Sequence, residues 1–240
     1  ADPADTLPSL MANHRLVRWH PEGSVLSTAT HPEQFWMIDE DDVARPMNRD
    51  RLERERLASS VILVNPEEIA CYREGTPYQS FLSSDDLRVS RFGTESTVYE
   101  MDQTAHTYRP FISYDAFRSW GWFDRQVMTE PGTLASAILS QRMSDGGMRR
   151  LRDGTLVKGR GQSEVSVVSH GRRLPIFDWQ TFLALGYQSD RIVEVDPTVV
   201  DAVAYPRGPM ITAERITYCS HPSPCLSGDC DAGRVGGGGI

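Results

Sequence analysis

Residues 153–187 read DGTLVKGRGQSEVSVVSHGRRLPIFDWQTFLALGY, the most regular structural pattern in this chain of 240 residues. Residues 155–158 favour a short strand, and two glycines then turn the chain. Residues 165–168 alternate with a period of two, a His-Gly pair forms a tip, and residues 172–176 return along residues 165–168. The stretch therefore predicts a β-hairpin.

The same stretch predicts a short helix after the hairpin. Asp178 stands where an N-cap residue accepts a hydrogen bond from the first helical turn, and Gly186 stands where glycine ends a helix. Residues 192–195 then favour a short strand. The Asp196-Pro197 step opens a second short helix, because proline at the first helical position loses no hydrogen bond.

These features recur in the same order at nearly constant spacing. The prolines that close each unit are 65 and 66 residues apart, and the prolines of the hairpins are 64 and 65 residues apart. The closing set is Pro66, Pro131 and Pro197, and the hairpin set is Pro46, Pro110 and Pro175. Gly121 corresponds to Gly186, whereas the first copy has no glycine there, so its helix is expected to run on or end differently. The agreement indicates three copies of one unit.

The predicted fold class is α+β, with three tandem modules, each a β-hairpin followed by a short helix, a short strand and a short helix. Modules of this size bury too little surface to be stable alone, so neighbouring copies are expected to pack on each other. The predicted divisions are an N-terminal arm (1–22), a divergent first repeat (23–80), a second repeat (81–150), a third repeat (151–211) and a Cys/Gly-rich C-terminal tail (212–240).

The third copy resembles a repeat of bacterial surface and extracellular proteins, through its Gly-Thr-Leu-Val-Lys start, its Gly-Arg-Arg-Leu-Pro return and its Phe-Leu-Ala-Leu-Gly-Tyr helix end. The resemblance covers roughly residues 90 to 210, and the first copy matches poorly. The second copy matches at Val98, Tyr99, Arg109, Phe111, Tyr114, Phe117 and Trp120. The resemblance implies an exported or wall-associated protein in which the repeat is a structural or adhesive module, without catalytic residues.

Charge and cysteine content narrow the classes of function. The net charge is −8, which disfavours nucleic acid as a partner, and no apolar stretch is long enough to cross a bilayer. The four cysteines favour disulfides in a secreted, extracellular or cell-surface protein. Their pairing stays open, and zinc binding by the three tail cysteines with His221 and Asp229 is the less favoured alternative. The disulfide candidates are Cys71, Cys219, Cys225 and Cys230.

Several other side chains could bind a ligand or a metal ion, but each also has a structural interpretation. Trp120, Trp122 and Tyr187 are possible ligand-stacking residues, as are Tyr114 and Trp179, although their recurrence beside the helix stops favours packing in the core. Residues 39–42 can be a calcium-binding turn, but they lack EF-hand spacing, so a solvated acidic turn is favoured. His106 and His170 occupy corresponding hairpin tips, where polar residues are expected.

The arginines near the hairpin prolines, Arg45, Arg109 and Arg173, are expected to pair with carboxylates within or between modules.

The sequence therefore predicts a non-catalytic exported structural protein, a subunit of an extracellular filament or cell-surface assembly. Its expected partner is another copy of itself, bound head to tail through the N-terminal arm or the C-terminal tail. The alternative function is a module that binds cell-wall polysaccharide or another glycan. No catalytic residue, metal or cofactor is expected, because the chain contains no HExxH, GxSxG, P-loop or GxGxxG pattern.

Overall fold

The computed structural model describes residues 14–79, 87–134, 143–198, 205–212 and 215–218. Within these residues short helices accompany three mixed β-sheets and one two-stranded sheet, which confirms the α+β class. The helices are α1 (Arg49–Arg54), α2 (Pro66–Ile69), α3 (Tyr114–Ser119) and α4 (Trp179–Ala184). The strands are β1 (His14–Val17), β2 (Val25–Thr28), β3 (Phe35–Asp39), β4 (Val43–Met47), β5 (Val61–Val64), β6 (Arg73–Glu74), β7 (Leu87–Phe92), β8 (Tyr99–Asp102), β9 (Thr107–Pro110), β10 (Val127–Glu130), β11 (Ser144–Asp145), β12 (Leu156–Gly159), β13 (Val165–Ser169), β14 (Arg172–Pro175), β15 (Val193–Val195) and β16 (Arg215–Tyr218).

The three mixed sheets have corresponding strand orders. The first sheet runs β5-β2-β3-β4-β6 and the second runs β10-β7-β8-β9-β11. The third runs β14-β13-β12-β15, and parallel bridges from Arg173 to Arg207 and from Ile176 to Ile211 lie at its β14 edge. In each sheet three consecutive strands are antiparallel, and the strand after the helix pairs in parallel with the first of them. Each predicted hairpin is thus part of a four- or five-stranded sheet.

The helices begin where the N-cap chemistry predicts. The side chains of Asn48, Ser113 and Asp178 accept hydrogen bonds from the backbone N–H three residues later, in α1, α3 and α4 respectively. Each of these bonds satisfies an amide that has no partner inside the helix. The local sequence thus determines where each helix starts.

All three of these helices stop at a residue in the left-handed conformation. Gly121 has φ of 74° and Gly186 has φ of 75°, as glycine-ended helices require. Arg56 takes the same conformation, with φ of 57°. The expectation that the first helix ends differently for lack of glycine is therefore wrong. The Arg56 guanidinium lies 3.5 Å from the centroid of the Trp122 ring, a contact that helps to offset the cost of this conformation.

The three closing prolines precede different helical turns. Pro66 is the first residue of α2, although the Asn65 side chain makes no cap hydrogen bond. Pro131 is followed by a 3₁₀ turn, Gly132–Leu134, instead of an α-helix. Asp196 accepts hydrogen bonds from the backbone N–H and the hydroxyl of Thr198, and residues 199–204 lie outside the described part.

Three arginine–carboxylate contacts confirm the expected pairing. Arg173 lies 2.8 Å from Glu164, Arg109 lies 3.5 Å from Glu100, and Arg45 contacts Asp39. Each pair joins neighbouring parts of one sheet. Since the arginine side chains are a seventh to a third exposed, these pairs contribute less than fully buried ones.

The first and third sheets share one hydrophobic core. Alternate residues of β2 and β3 in the first sheet, such as Leu26 and Trp36, contribute to it, as do Val167 of β13 and Phe182 of α4. Its buried members are Leu26, Trp36, Ile38, Ala44, Ile62, Val64, Ile69, Tyr72, Leu156, Val167, Leu174, Ile176, Phe182, Leu185, Tyr187 and Ile211. The opposite face of the first sheet packs on α1, and the second sheet has its own core around Phe111 and Phe117.

The same tyrosine contact occurs in the first and third sheets. The Tyr72 hydroxyl accepts a hydrogen bond of 2.7 Å from the His20 backbone N–H. The Tyr205 hydroxyl accepts one of 2.7 Å from the Leu151 backbone N–H. Both bonds anchor the segment three residues before a turn glycine, Gly23 or Gly154, and so fix how each sheet begins.

The described parts of the predicted arm and tail pair with each other. Strand β1 pairs antiparallel with β16, so that His14 faces Tyr218 and Val17 faces Arg215. These segments belong to one chain and need no second subunit to form this sheet. Residues 1–13 and 219–240 lie outside the described part. Among the described residues, no helix is both long enough and apolar enough to span a membrane.

Gly23 and Gly154 approach each other backbone to backbone where the first and third sheets meet. Both have positive φ, 87° and 84°. A Cβ atom on Gly154 would lie 2.2 Å from the Gly23 carbonyl oxygen, and one on Gly23 would lie 2.3 Å from the Asp153 carbonyl carbon. Neither backbone can give way as a flexible side chain could, so both positions require glycine.

We expect Gly154→Ala to lower the free energy of unfolding by on the order of 3 kcal/mol, because it adds a backbone clash to an unfavourable φ. Gly161→Ala is the matched control, since Gly161 has φ of 78° and nothing within 4 Å of its added Cβ. The control is expected to cost about 1 kcal/mol from backbone conformation alone. Chemical denaturation measures both, and equal losses would contradict the close approach.

Candidate functional site

Two of the predicted stacking residues are buried, and a third lies beside two arginines. Trp122 and Tyr187 are buried, with 4% and 5% of their surfaces exposed. Trp120 is half-buried, with the guanidinium carbons of Arg149 and Arg152 at 4.2 and 5.0 Å from its ring centroid. Its indole N–H donates to the Arg150 carbonyl oxygen at 2.8 Å. Trp122 and Tyr187 thus pack in the interior, and Trp120 packs against two arginines.

The other predicted structural residues lie in the framework around these rings. Pro46, Pro110 and Pro175 belong to the third antiparallel strand of each sheet. Cys71 is disulfide-bonded, and Cys219, Cys225 and Cys230 lie outside the described residues. Because the chain has only four cysteines, the partner of Cys71 is one of these three, and which one stays open. The alternative in which all three tail cysteines bind zinc is therefore wrong.

A buried ion pair joins the first and third sheets. Arg152 donates through Nη1 to the Glu55 backbone oxygen at 2.6 Å, and its Nη2 lies 3.4 Å from Oε2 of the Glu55 carboxylate. Both residues are almost completely buried, and burial lowers the pKa of the Arg152 guanidinium, while Glu55 partly opposes that shift. Since each charge neutralises the other in a setting with little water, loss of one partner leaves a buried charge uncompensated.

We expect Glu55→Leu to destabilise the fold by about 3 kcal/mol because Arg152 would lose its counter-charge. Leucine is a suitable replacement, since Leu185 occupies the corresponding position before the left-handed residue of the third helix stop. The double variant Glu55→Leu, Arg152→Met is expected to recover most of that loss. Urea unfolding of both single variants and the double variant measures the coupling, and additive losses would rule it out.

A neutral histidine lies at the same junction. His20 is fully buried, and its Nε2 lies 2.9 Å from the Leu185 carbonyl oxygen, to which it donates when neutral. Burial lowers the pKa of His20 to about 4, although the hydrogen bond to Leu185 opposes this shift. His20 thus acts as an uncharged donor that joins the start of the first sheet to the end of α4.

One cavity lies where all three sheets meet. Its volume is about 610 Å³, and its lining includes Ser60 from the first module, Arg118 from the second and Arg191 from the third. Arg191 already donates to the Val61 carbonyl oxygen at 2.7 Å. Burial raises the pKa of the Asp115 carboxyl, which also lines this cavity. Among these charged groups, Arg191 connects the third sheet to the first.

A second cavity, the Trp179 groove, combines an open aromatic ring with polar groups. Its volume is about 520 Å³, and it is lined by Lys158, Ser163, Val165, Trp179, Ser189, Asp190, Ile192 and Glu194. Trp179 is 51% exposed, and its ring lies flat on the buried Phe182 ring, with centroids 4.6 Å apart and an interplanar angle of 8°. The stacking holds one face of the indole and leaves the ring beside the groove.

The polar wall of the Trp179 groove is organised by an ion pair. The Lys158 Nζ lies 2.6 Å from Oε1 of Glu194, and this hydrogen bond lowers the pKa of the Glu194 carboxyl. Ser163, Ser189 and Asp190 add exposed hydroxyl and carboxylate groups. Such a set can donate to and accept from the hydroxyl groups of a ligand, while the indole packs against its apolar face.

Three large apolar side chains are exposed on the same module, outside the Trp179 groove. Phe177 is 63% exposed, Leu183 is 52% exposed and Met210 is 48% exposed. Phe177 and Met210 are brought together because the Phe177 backbone N–H donates to the Ile211 carbonyl oxygen. In the second module the helical position of Leu183 is occupied by Arg118, a charged residue.

The sequence favoured core packing over ligand stacking for Trp179, but its side chain is 51% exposed. The spacing of Trp179, Phe182 and Leu183 is compatible with one helical face, but Thr181, Phe182 and Leu185 are the buried set. A helix of six residues presents too few positions for periodicity to distinguish these two faces. The sequence feature that could have indicated an exposed ring is the aromatic residue directly after the N-cap, which recurs as Tyr114 in the second module.

Comparison of the chain with known protein families, with curated proteins and with solved structures finds no match. The resemblance to repeats of bacterial surface proteins therefore stays a prediction based on the residues that carry it.

Proposed function

We propose that this chain is a non-catalytic exported protein, built from three copies of one α+β module, which binds a saccharide of the cell wall or cell surface in the Trp179 groove. The observation that carries the proposal is the rigid, half-exposed indole beside hydroxyl, carboxylate and ammonium groups. Saccharides present an apolar C–H face and a rim of hydroxyl groups, and this arrangement complements both.

The shared module supports this proposal. Corresponding strand orders, three N-caps, three left-handed helix stops and two tyrosine anchors occur at corresponding sequence positions. A repeated framework can vary the exposed residues of one copy without loss of its packing. The third module then carries the groove, since Trp179 and the Lys158–Glu194 pair belong to it.

The disulfide at Cys71 supports an exported location. Disulfide bonds persist in oxidising compartments and are rare in the reducing cytosol. The net charge of −8 fits a ligand that is neutral or carries cationic groups better than a polyanion. A bacterial cell-wall polysaccharide is consistent with both properties and with the resemblance of the third copy.

We expect Trp179→Ala to weaken saccharide binding about tenfold or more, because the stacking surface is removed. The measurement is a pull-down with insoluble peptidoglycan, together with a glycan array and calorimetric titration of any array hit. Tyr114→Ala is the matched control, since Tyr114 holds the corresponding position and is 56% exposed, but its hydroxyl donates to Asp124. Retained binding in Trp179→Ala, or an equal loss in the control, would refute the proposed site.

A second candidate function is a subunit of an extracellular filament or surface assembly. The exposed Phe177, Leu183 and Met210 favour it, because large exposed apolar side chains on an acidic protein are typical of a contact surface. Since β1 pairs with β16 of the same chain, this surface is a better candidate for a contact between subunits than those two strands.

If assembly uses this surface, Phe177→Asp should shift the protein towards single chains in sedimentation velocity and remove polymers from negative-stain images. Ile112→Asp is the matched control, because Ile112 stands two residues after the hairpin proline of the second module and is 42% exposed. A wild-type protein that stays a single chain at all soluble concentrations would exclude this function.

A further inference from the structure

The hairpin tips of the first and third modules bring a histidine and two glutamates together. His170 lies between β13 and β14, Glu40 lies between β3 and β4, and Glu22 precedes β2. The His170 Nδ1 atom lies 3.2 Å from Oε2 of Glu22 and 3.6 Å from Oε1 of Glu40. One donor atom from each of the three residues lies within 4.8 Å of the other two.

We propose that Glu22, Glu40 and His170 form a binding site for a divalent transition metal ion, of which Zn²⁺ is the best match. The site has no part in the saccharide groove, and it would connect the first and third modules. From the sequence, residues 39–42 were interpreted as a solvated acidic turn in preference to a calcium-binding one, and His170 was interpreted as a polar tip residue.

The distances from the His170 nitrogen to the two carboxylates fit tetrahedral coordination. Zn²⁺ binds nitrogen and carboxylate oxygen at about 2.0–2.2 Å, so two ligands of a tetrahedral ion lie roughly 3.3–3.6 Å apart. The two measured distances from Nδ1, 3.2 and 3.6 Å, are close to this range. Three protein ligands leave a fourth position for water.

The donor set favours a transition metal over calcium or magnesium. An imidazole nitrogen suits Zn²⁺ and its neighbours, whereas Ca²⁺ and Mg²⁺ prefer sites made wholly of oxygen. The side chains of His170 and Glu40 are each 68% exposed, so an ion can reach them from solvent. Both tips are anchored, since the Gly23 and Gly154 backbones beside them are in direct contact.

The negative charge around His170 also favours a bound cation. The Glu22 and Glu40 carboxylates both lie within 3.6 Å of the His170 Nδ1 atom. Asp153 faces the backbone N–H groups of His170 and Gly171, which positions the tip. Three carboxylates thus surround one imidazole, and a bound cation would relieve the repulsion among them.

The test uses tag-free full-length protein, with its disulfides intact, after dialysis against EDTA. We expect one equivalent of Zn²⁺ in calorimetry, a rise in Tm that grows with the logarithm of the Zn²⁺ concentration, and visible absorption bands with Co²⁺. Calcium should produce none of these effects at the same concentrations. No response to Zn²⁺ or Co²⁺, or an equal response to calcium, would overturn the proposal.

Variants distinguish this site from the histidines and cysteines elsewhere in the chain. His170→Asn and Glu40→Gln should each weaken Zn²⁺ binding at least tenfold and abolish the Co²⁺ bands. Asparagine is chosen because it tolerates the left-handed backbone at position 170, where φ is 50°. His106→Asn is the matched control at the second-module tip, where φ is 51°, and it should bind as the wild type does. Unchanged binding in both site variants would place the metal elsewhere and overturn the proposal, provided that their Tm values in EDTA match the wild type.

Discussion

The apolar core shared by the first and third sheets is the constraint on which the rest of the described structure depends. Leu26 and Trp36 project from one face of the first sheet, while Phe182 and Leu185 come from the helix region of the third. Neither sheet could exclude water from this face alone, because each offers only a few strands and one short helix. Burial of these side chains therefore joins parts of the chain that are more than 100 residues apart. The second module lies between these parts in the sequence.

Polar contacts at the edge of this core determine how the modules meet. Arg152 reaches Glu55 across the junction, and His20 donates to Leu185 as a neutral ring. In the second module, Glu100 is buried and accepts from Arg149 at 2.7 Å. Such pairs add little net stability compared with apolar replacements, but they disfavour arrangements in which one partner would be buried alone. They give the junctions a defined geometry that apolar contacts would specify less sharply.

Local chemistry explains which features could be predicted from the sequence. Asn48, Ser113 and Asp178 cap helices because a short side chain and the next backbone amides suffice to form the bond. The arginine–carboxylate pairs were similarly accessible, since most of their partners lie in adjacent strands. Strand β2 and its parallel pairing with β5 were not predicted, because they depend on segments about 35 residues apart in sequence.

The candidate site was predictable only in part for the same reason. Core packing was favoured over ligand stacking for Trp179, but its exposure depends on which side of α4 meets the first sheet. Arg56 shows the opposite case, in which a residue without glycine's freedom keeps a left-handed conformation because Trp122 of another module lies under its guanidinium. The meeting of Glu22, Glu40 and His170 likewise depends on the approach of two modules and leaves no spacing signature in the chain.

The pairing of β1 with β16 has a consequence for the connectivity of the chain. His14 faces Tyr218, so the two ends of the described fold lie side by side. The order of the modules along the polypeptide is thus separable from their arrangement in space. A circular permutant could join these ends and open the chain at the exposed turn at Gly161. Such a permutant would retain every core contact. Its synthesis would begin and end within the third module.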